Sequence, residues 1–341
     1  MMDRRMQRAG ARAAGLGISM LLAACAGVPE VASKPPVAQG GAAVDRPRAT
    51  GAGPADAGIP AEDRTARVIG ELRTVTAVAA DTLLDIAYEN DLGFVEVVAA
   101  NPGVDPWLPG DGTRVVLPGQ HILPDAPREG IVINLASMRL YYFPPNGGKV
   151  RSYPVGIGRG GLSTPTGTTR VRAKITEPTW YPTARMREAD PSLPAAVPAG
   201  PDNPLGKYAL DLGWSAYLIH GTNKKWGIGR RISSGCIRLY PEGIADLYRR
   251  IESGTKVTVV DQPIKFAWAG GHLYVEAHTT QKQAEALEKT GRFEPAEDVD
   301  LARKVGRAVG DRQAPLDWSR LREAVAQRRG LPVRVTQAGE S

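Results

Sequence analysis

Between residues 130 and 175 every apolar run is short, and each one ends at a turn signal. Residues 130–135, 138–143 and 150–158 read as strands, and Asn146-Gly147 with Gly148 marks a hairpin turn between the second and third. Thr164-Pro165-Thr166-Gly167 then leads into a further strand over 168–175. Strands at this spacing, with few helical patterns among them, predict a mainly β fold with short helices. The expected architecture is a β-sandwich or partly closed barrel. Composition agrees, since 39 Gly and 28 Pro in 341 residues favour loop-rich β structure and linkers, while 42% apolar content suffices for a core.

The chemistry-bearing stretch is Tyr217 to Tyr240. A short apolar run, Tyr217-Leu218-Ile219, reads as a strand that ends at His220, and Gly221-Thr222 begins the turn. Gly227 and Gly229 flank Ile228, the basic pair Arg230-Arg231 follows, and Ser233-Ser234-Gly235-Cys236-Ile237-Arg238-Leu239 closes the stretch. A cysteine attacks as thiolate, and a nearby imidazole lowers its pKa and makes that form usable. Gly235 allows a tight turn in which backbone N–H groups point at a developing oxyanion. The competing reading is a buried thiol and a core histidine; the glycines, serines and arginine around Cys236 argue against an apolar core site. A helix entered through Pro241 is expected next.

The pattern His220-Gly221-Thr222, a spacer, then Ser233-x-Gly235-Cys236-Ile237-Arg238-Leu239 resembles the L,D-transpeptidase catalytic domain of the YkuD type, a family of the bacterial cell wall. The variable position, often histidine in that family, is Ser234 here, so His220 has no neighbouring histidine to replace it. The resemblance covers roughly 129–262 and implies an acyltransferase with Cys236 as nucleophile and His220 as acid and base. Gly235, Ser234, Ser233, Thr222 and Gly221 would shape the oxyanion site and the loop. Arg238 would either pair with a substrate carboxylate or brace the loop. The implied reaction forms a thioester with a stem tetrapeptide, releases D-alanine and makes 3-3 crosslinks between diaminopimelate residues, with no metal or organic cofactor. The same acyl-enzyme could instead pass to a lysine of an outer-membrane protein or to water. Thr164-Pro165-Thr166-Gly167 and Asn203-Pro204-Leu205-Gly206 also resemble family segments, the first either at the groove mouth or a plain turn. The proline-rich stretch 180–204 is either a lid or a surface loop.

The N-terminus reads as a leader. Arg4, Arg5, Arg8 and Arg12 precede a short apolar stretch, 13–22, too short to span a bilayer as a helix. Leu22-Ala23-Ala24-Cys25 is similar to a lipobox, so residues 1–25 are expected to be a lipoprotein signal with Cys25 acylated; a plain signal peptide is the alternative. Ala26 after it points to a periplasmic protein held on the outer membrane rather than the inner. With Cys25 consumed by lipid, Cys236 is the one thiol of the mature chain in an oxidising compartment, which itself argues for use. Residues 26–70 read as a flexible linker.

Residues 71–119 follow a strand, helix, helix, strand order. A helix capped by Asp81 is expected over 81–88, a second from Phe94 that stops before Pro102, and a closing strand over 114–118. Asp81-Thr82-Leu83, Ile86-Ala87, Ala100-Asn101-Pro102, Leu108-Pro109-Gly110 and Val116-Leu117-Pro118 resemble a LysM module, which implies binding to glycan. The family's glycine before the aspartate is Ala80 here. Residues 263–341 suggest a hairpin around Gly270-Gly271 and two charged helical stretches, with no assigned chemistry.

A net charge of +7 without aromatic-basic interleaving excludes a single-strand nucleic-acid binder and fits an acidic wall polymer or membrane face. His121, His272 and His278 lack ligand spacing for a metal and read as structural or surface residues. A reading of another class is a non-catalytic lipoprotein that holds membrane to peptidoglycan. Intact His220 and Cys236 speak against it.

Overall fold

The computed structural model describes residues 67–337. The leader, Cys25 and most of the linker lie outside the described residues. The first unit contains β1 (Val68–Ile69), β2 (Leu72–Thr76), α1 (Leu83–Glu89), α2 (Phe94–Ala100), β3 (Arg114–Pro118) and β4 (His121–Ile122). Strand β2 pairs antiparallel with β3, Leu72 opposite Pro118, and the two short helices lie between them in the chain. Asn101 ties them together: its Nδ2 donates to Val97 O and Val116 O, and its Oδ1 accepts from Val116 N–H. The cap of α1 is Thr82, not Asp81 as the sequence suggests. Thr82 forms a capping box with Asp85, whereas Asp81 turns back to accept from the Val78 N–H at 2.9 Å.

The second unit runs β5 (Gly130–Asn134), β6 (Arg139–Phe143), β7 (Arg151–Pro154), β8 (Ile157–Gly158), β9 (Gly167–Thr176), α3 (Ala184–Ala189), β10 (Tyr208–Leu212), β11 (Leu218–His220), β12 (Arg231–Ser233), β13 (Ile237–Arg238), α4 (Pro241–Arg250) and β14 (Lys256–Val260). Eight of these strands form one sheet in the order β13-β11-β10-β9-β14-β5-β6-β7. The sheet curls until its edges meet. Gly156, just past β7, exchanges two backbone hydrogen bonds with Arg238 of β13, at 2.9 and 2.8 Å. This is the partly closed barrel of the two expected forms. Gly156 is required there, because a Cβ would lie 2.4 Å from Gly227 O.

Alternation along the strands divides the sheet into two faces. Leu210, Leu212, Ile219 and Ile237 point into the main core with Ile244 and Leu247 of α4 and with Leu83, Ile86, Phe94 and Val97 of the first unit. Ala209, Leu218 and Cys236 point the other way. The first unit therefore shares its core with the sheet.

It also caps the loop that spaces His220 from Cys236. The first N–H groups of α2, on Phe94 and Val95, donate to Ile228 O and Gly229 O at 3.3 and 3.1 Å. Gly93 and Gly229 meet backbone to backbone; a Cβ on Gly229 would lie 2.3 Å from Gly93 Cα.

The remainder is more ordered than a tail. The hairpin β15 (Ile264–Ala269) and β16 (His272–Ala277) turns at Gly270-Gly271 as expected, and α5 (Gln281–Thr290), α6 (Leu301–Val309), α7 (Trp318–Gln327) and β17 (Val333–Arg334) follow. Strand β17 pairs with β16, and α6 and α7 pack on this sheet around Leu273, Val275, Leu321 and Val325. Helix α5 instead joins the main core through Ala284 and Leu287.

Three parts of the chain meet at a buried ionic cluster. Glu276 of β16 accepts from Lys265 at 2.9 Å and from His278 Nε2 at 2.6 Å, both at Oε1, and its other oxygen accepts from Ile122 N–H. Arg139 of β6 donates to both oxygens of Glu96 in α2. His121 lies between the two carboxylates, its ring nitrogens 3.6 Å from Glu96 and 3.8 Å from Glu276, too long for hydrogen bonds. Burial and then the Arg139 charge push the His121 pKa down to about 4, although Glu276 and Glu96 pull it up. His121 is therefore neutral in the folded protein at pH 7. Unfolded, it takes a proton near pH 6.5. The folded state binds fewer protons between those values, so stability present above pH 6.5 is lost as pH falls toward 4. The full shift is worth about 3 kcal/mol. The groups that face His121 are Glu96, Glu276, Arg139, Tyr141 and Lys265. We expect His121→Gln to flatten the decline in unfolding free energy between pH 6.5 and 4.5, measured by urea titration; an equal decline in both proteins would refute this.

Candidate functional site

Strand β11 pairs in parallel with β13, Ile219 beside Ile237 and His220 beside Arg238. One residue earlier, the same register sets Cys236 beside Leu218, and the Leu218 N–H donates to Cys236 Sγ at 3.1 Å. Ile219 and Ile237 point into the main core, so His220 and Cys236 both project from the opposite face, on adjacent strands and diagonal to each other. Sixteen residues apart in sequence, the two are neighbours on one surface because a parallel pair needs a long connection to return the chain. Sγ also lies 3.7 Å from Ala216 O. The chain's other cysteine, Cys25, lies outside the described residues. A nucleophile here is the reduced form of Cys236, since the thiolate is the attacking species.

His220 is held in one tautomer. Its Nδ1 lies 2.6 Å from Gly221 O, and a carbonyl can only accept, so Nδ1 carries the proton and Nε2 is the basic nitrogen. Thr222 supports the loop beside the ring. Its Oγ1 accepts from Lys224 N–H at 2.9 Å and closes the turn after the strand. Gly206, at φ 67°, lies against Gly221 and Thr222, with no room for a Cβ.

The cysteine loop is wired by hydroxyls. Ser233 Oγ donates to Cys236 O at 2.6 Å and accepts from Gly235 N–H at 3.1 Å. Thr164 Oγ1 donates to Gly235 O at 2.7 Å and accepts from Gly158 N–H at 3.1 Å. Thr164 of the Thr164-Pro165-Thr166-Gly167 segment thus clamps the loop. Gly235 has φ 111°, and a Cβ would strike the Tyr217 ring at 2.8 Å, so only glycine fits. Ser234 is half-buried beside it. Arg238 is buried where the sheet edges meet, its guanidinium beside Gly227. The basic pair of the spacer is engaged by its surroundings: Arg230 Nε and Arg231 N–H both donate to Glu288 of α5, and Arg231 Nη2 donates to Leu135 O.

The stretch 180–204 covers this face. Trp180 and Val197 exchange two backbone hydrogen bonds of 2.8 Å at its base, and Trp180, Met186 and Leu205 pack with Ala209, Leu218 and Cys236. Cys236 and His220 are both fully buried. Sequence reasoning noted the Asn203-Pro204-Leu205-Gly206 segment but not the function of its asparagine. Asn203 is fully buried, its Nδ2 reaches Pro178 O, Val197 O and Pro198 O, and its Oδ1 accepts from Leu205 N–H, which fastens both ends of the cover. Trp180 was also missed. Its indole N–H is buried with no hydrogen-bond partner among the described residues, on the cover beside Cys236.

Comparison with known proteins agrees with this geometry. Residues 128–259 match the YkuD family, described as an L,D-transpeptidase catalytic domain. The chain is 43% identical over 277 residues to the probable L,D-transpeptidase YbiS of Escherichia coli K12, covering 79% of this chain and 89% of that protein. It is 46% identical over 222 residues to the probable L,D-transpeptidase YcfS of the same strain, covering 62% of this chain and 69% of that one. It is 38% identical over 285 residues to the probable L,D-transpeptidase ErfK/SrfK of that strain, covering 81% and 90%.

Proposed function

Because this chain belongs to the L,D-transpeptidase family built on the YkuD catalytic domain, transferases that act on peptidoglycan, we propose that it forms a thioester on Cys236 and makes 3-3 crosslinks. The reduced thiolate attacks the carbonyl that joins the diamino acid at position three of a stem tetrapeptide to its terminal D-alanine. The C–N bond breaks, His220 delivers a proton from Nε2 to the departing amine, and D-alanine leaves. An amine of a second stem then attacks the thioester and gives up a proton to His220, and Cys236 leaves as thiolate. The observation that carries this reading is the shared face: the β11–β13 register sets both side chains on one surface, with the tautomer of His220 fixed so that its basic nitrogen is Nε2. Backbone N–H groups near Cys236, Leu218 among them, are the candidate donors for the oxyanion. The cover must open to admit a stem peptide, since both groups are buried.

The reading extends to the wall and membrane. Cys25 carries the acyl anchor that holds the protein in the periplasm, checked by the intact mass of the mature chain. The βααβ unit is a LysM-like contact to glycan, supported by the exposed Trp107, Leu108 and Val78 on its loops.

The test is product identification after incubation of the reduced protein with purified tetrapeptide muropeptides. Released D-alanine with 3-3 dimers supports transfer between stems. Tripeptide alone would assign the acceptor to water, and dimers only with a lysine-bearing protein would assign it to tethering. Unchanged tetrapeptide would overturn the acyl-enzyme itself.

A further inference from the structure

We propose that Arg172 and Asp211 form the subsite that selects the third residue of the donor stem, by reading the ammonium and carboxylate at the far end of a diamino-diacid side chain. This rests on the reading of Cys236 as nucleophile toward a stem peptide. Asp211 stands opposite Leu218 in the β10–β11 pair, and Leu218 stands beside Cys236. Asp211 therefore shares a row with the sulfur, on the same face, two strands away. At about 4.8 Å per strand the separation along the row is roughly 10 Å.

A bulge aims the arginine at this row. Asp211 pairs with Ala173 and Leu212 with Val171, so Arg172 is the extra residue on β9. Its Nε and Nη2 both donate to Asp211 Oδ2, at 2.9 and 2.7 Å. Among the described residues, Asp211 Oδ1 and Arg172 Nη1 have no hydrogen bond. The carboxylate is 7% exposed and the guanidinium 51%, so the pair is anchored below and open above.

An ion pair on the row and face of the nucleophile, its guanidinium half exposed, matches one ligand chemistry best once the cover opens: a zwitterionic amino-acid centre, whose carboxylate meets Arg172 and whose ammonium meets Asp211. The span agrees. From the attacked carbonyl carbon to the distal stereocentre of a diaminopimelate-type side chain are five C–C bonds of about 1.5 Å, roughly 6 Å end to end. One further bond and a hydrogen bond of about 2.9 Å close the distance to the pair. A lysine in the same position has the ammonium but no carboxylate.

The experiment compares two tetrapeptides, one with meso-diaminopimelate and one with lysine at position three. We expect wild-type kcat/KM to favour the diamino diacid by roughly tenfold or more, as a charge-assisted hydrogen bond allows. Arg172→Gln should bring that ratio toward one through KM rather than kcat, and Arg172→Lys should restore part of it. A brace of the bulge without ligand contact would lower both substrates together and leave the ratio intact; that result overturns the proposal, as does a wild-type ratio near one. Calorimetry with the Cys236→Ala protein reads binding of the same peptides without any turnover. A preference there that Arg172→Gln erases supports the subsite even if acyl transfer fails, and equal affinities refute it.

Discussion

Cys236→Ala ends acyl transfer. With reduced protein and purified tetrapeptide, 3-3 dimers and released D-alanine should fall to the uncatalysed background, because Cys236 is the one cysteine among the described residues. His220→Gln should be less severe, a loss of about 10²- to 10⁴-fold, the usual contribution of a positioned acid and base. The two variants fail differently. Mass spectrometry of the intact protein should find no acyl adduct on Cys236→Ala, and a slowly formed adduct on His220→Gln. Both should melt somewhat below wild type, by about 1–3 kcal/mol, since Cys236→Ala leaves the buried Leu218 N–H without its sulfur acceptor and His220→Gln gives up the ring's bond to Gly221 O. Persistent dimer formation by Cys236→Ala would remove the sulfur from the chemistry.

Glu276→Gln should be the most destabilising single substitution in the charged interior. Burial pushes this carboxyl up, but Lys265, His278 and the hydrogen bonds it accepts outweigh burial and hold it well below the usual carboxylate range. Neutralising it leaves the Lys265 ammonium buried without its counter-charge, typically a cost of about 3–5 kcal/mol. For a chain of this size that is roughly a 4–7 °C fall in Tm. The double change Lys265→Met with Glu276→Leu should recover much of it, because apolar replacement of a whole buried pair is often near neutral. An unchanged Tm for Glu276→Gln would mean that the cluster is wetter than its burial indicates.

Much of this was legible in the residues. The strands of the curled sheet announce themselves by short apolar runs and turn signals, and His220 and Cys236 by a motif of mixed residue types. What the sequence hides is non-local or a near-tie. Asp81 and Thr82 are both good caps, and only the partner chosen by Asp81, the Val78 N–H, decides between them. Strand β17 has two residues and exists because β16 offers an edge. Glu276, Lys265, Glu96 and Arg139 look like ordinary surface charges until distant segments bring them together. Asn203 and Thr164 lie in segments that drew notice, yet their bonds end on carbonyls that no spacing reveals.

The contact between Gly93 and Gly229 has no slack, and this changes what the βααβ unit is for. A domain tied by a flexible tether can tug on its ligand without disturbing its neighbour. Here the first turn of α2 is bolted to the strip of chain that sets the spacing between imidazole and sulfur. A shift of the N-terminal unit would have to carry that strip with it. An engineer who trimmed the chain to its catalytic sheet would be removing part of the jig that keeps the tool aligned.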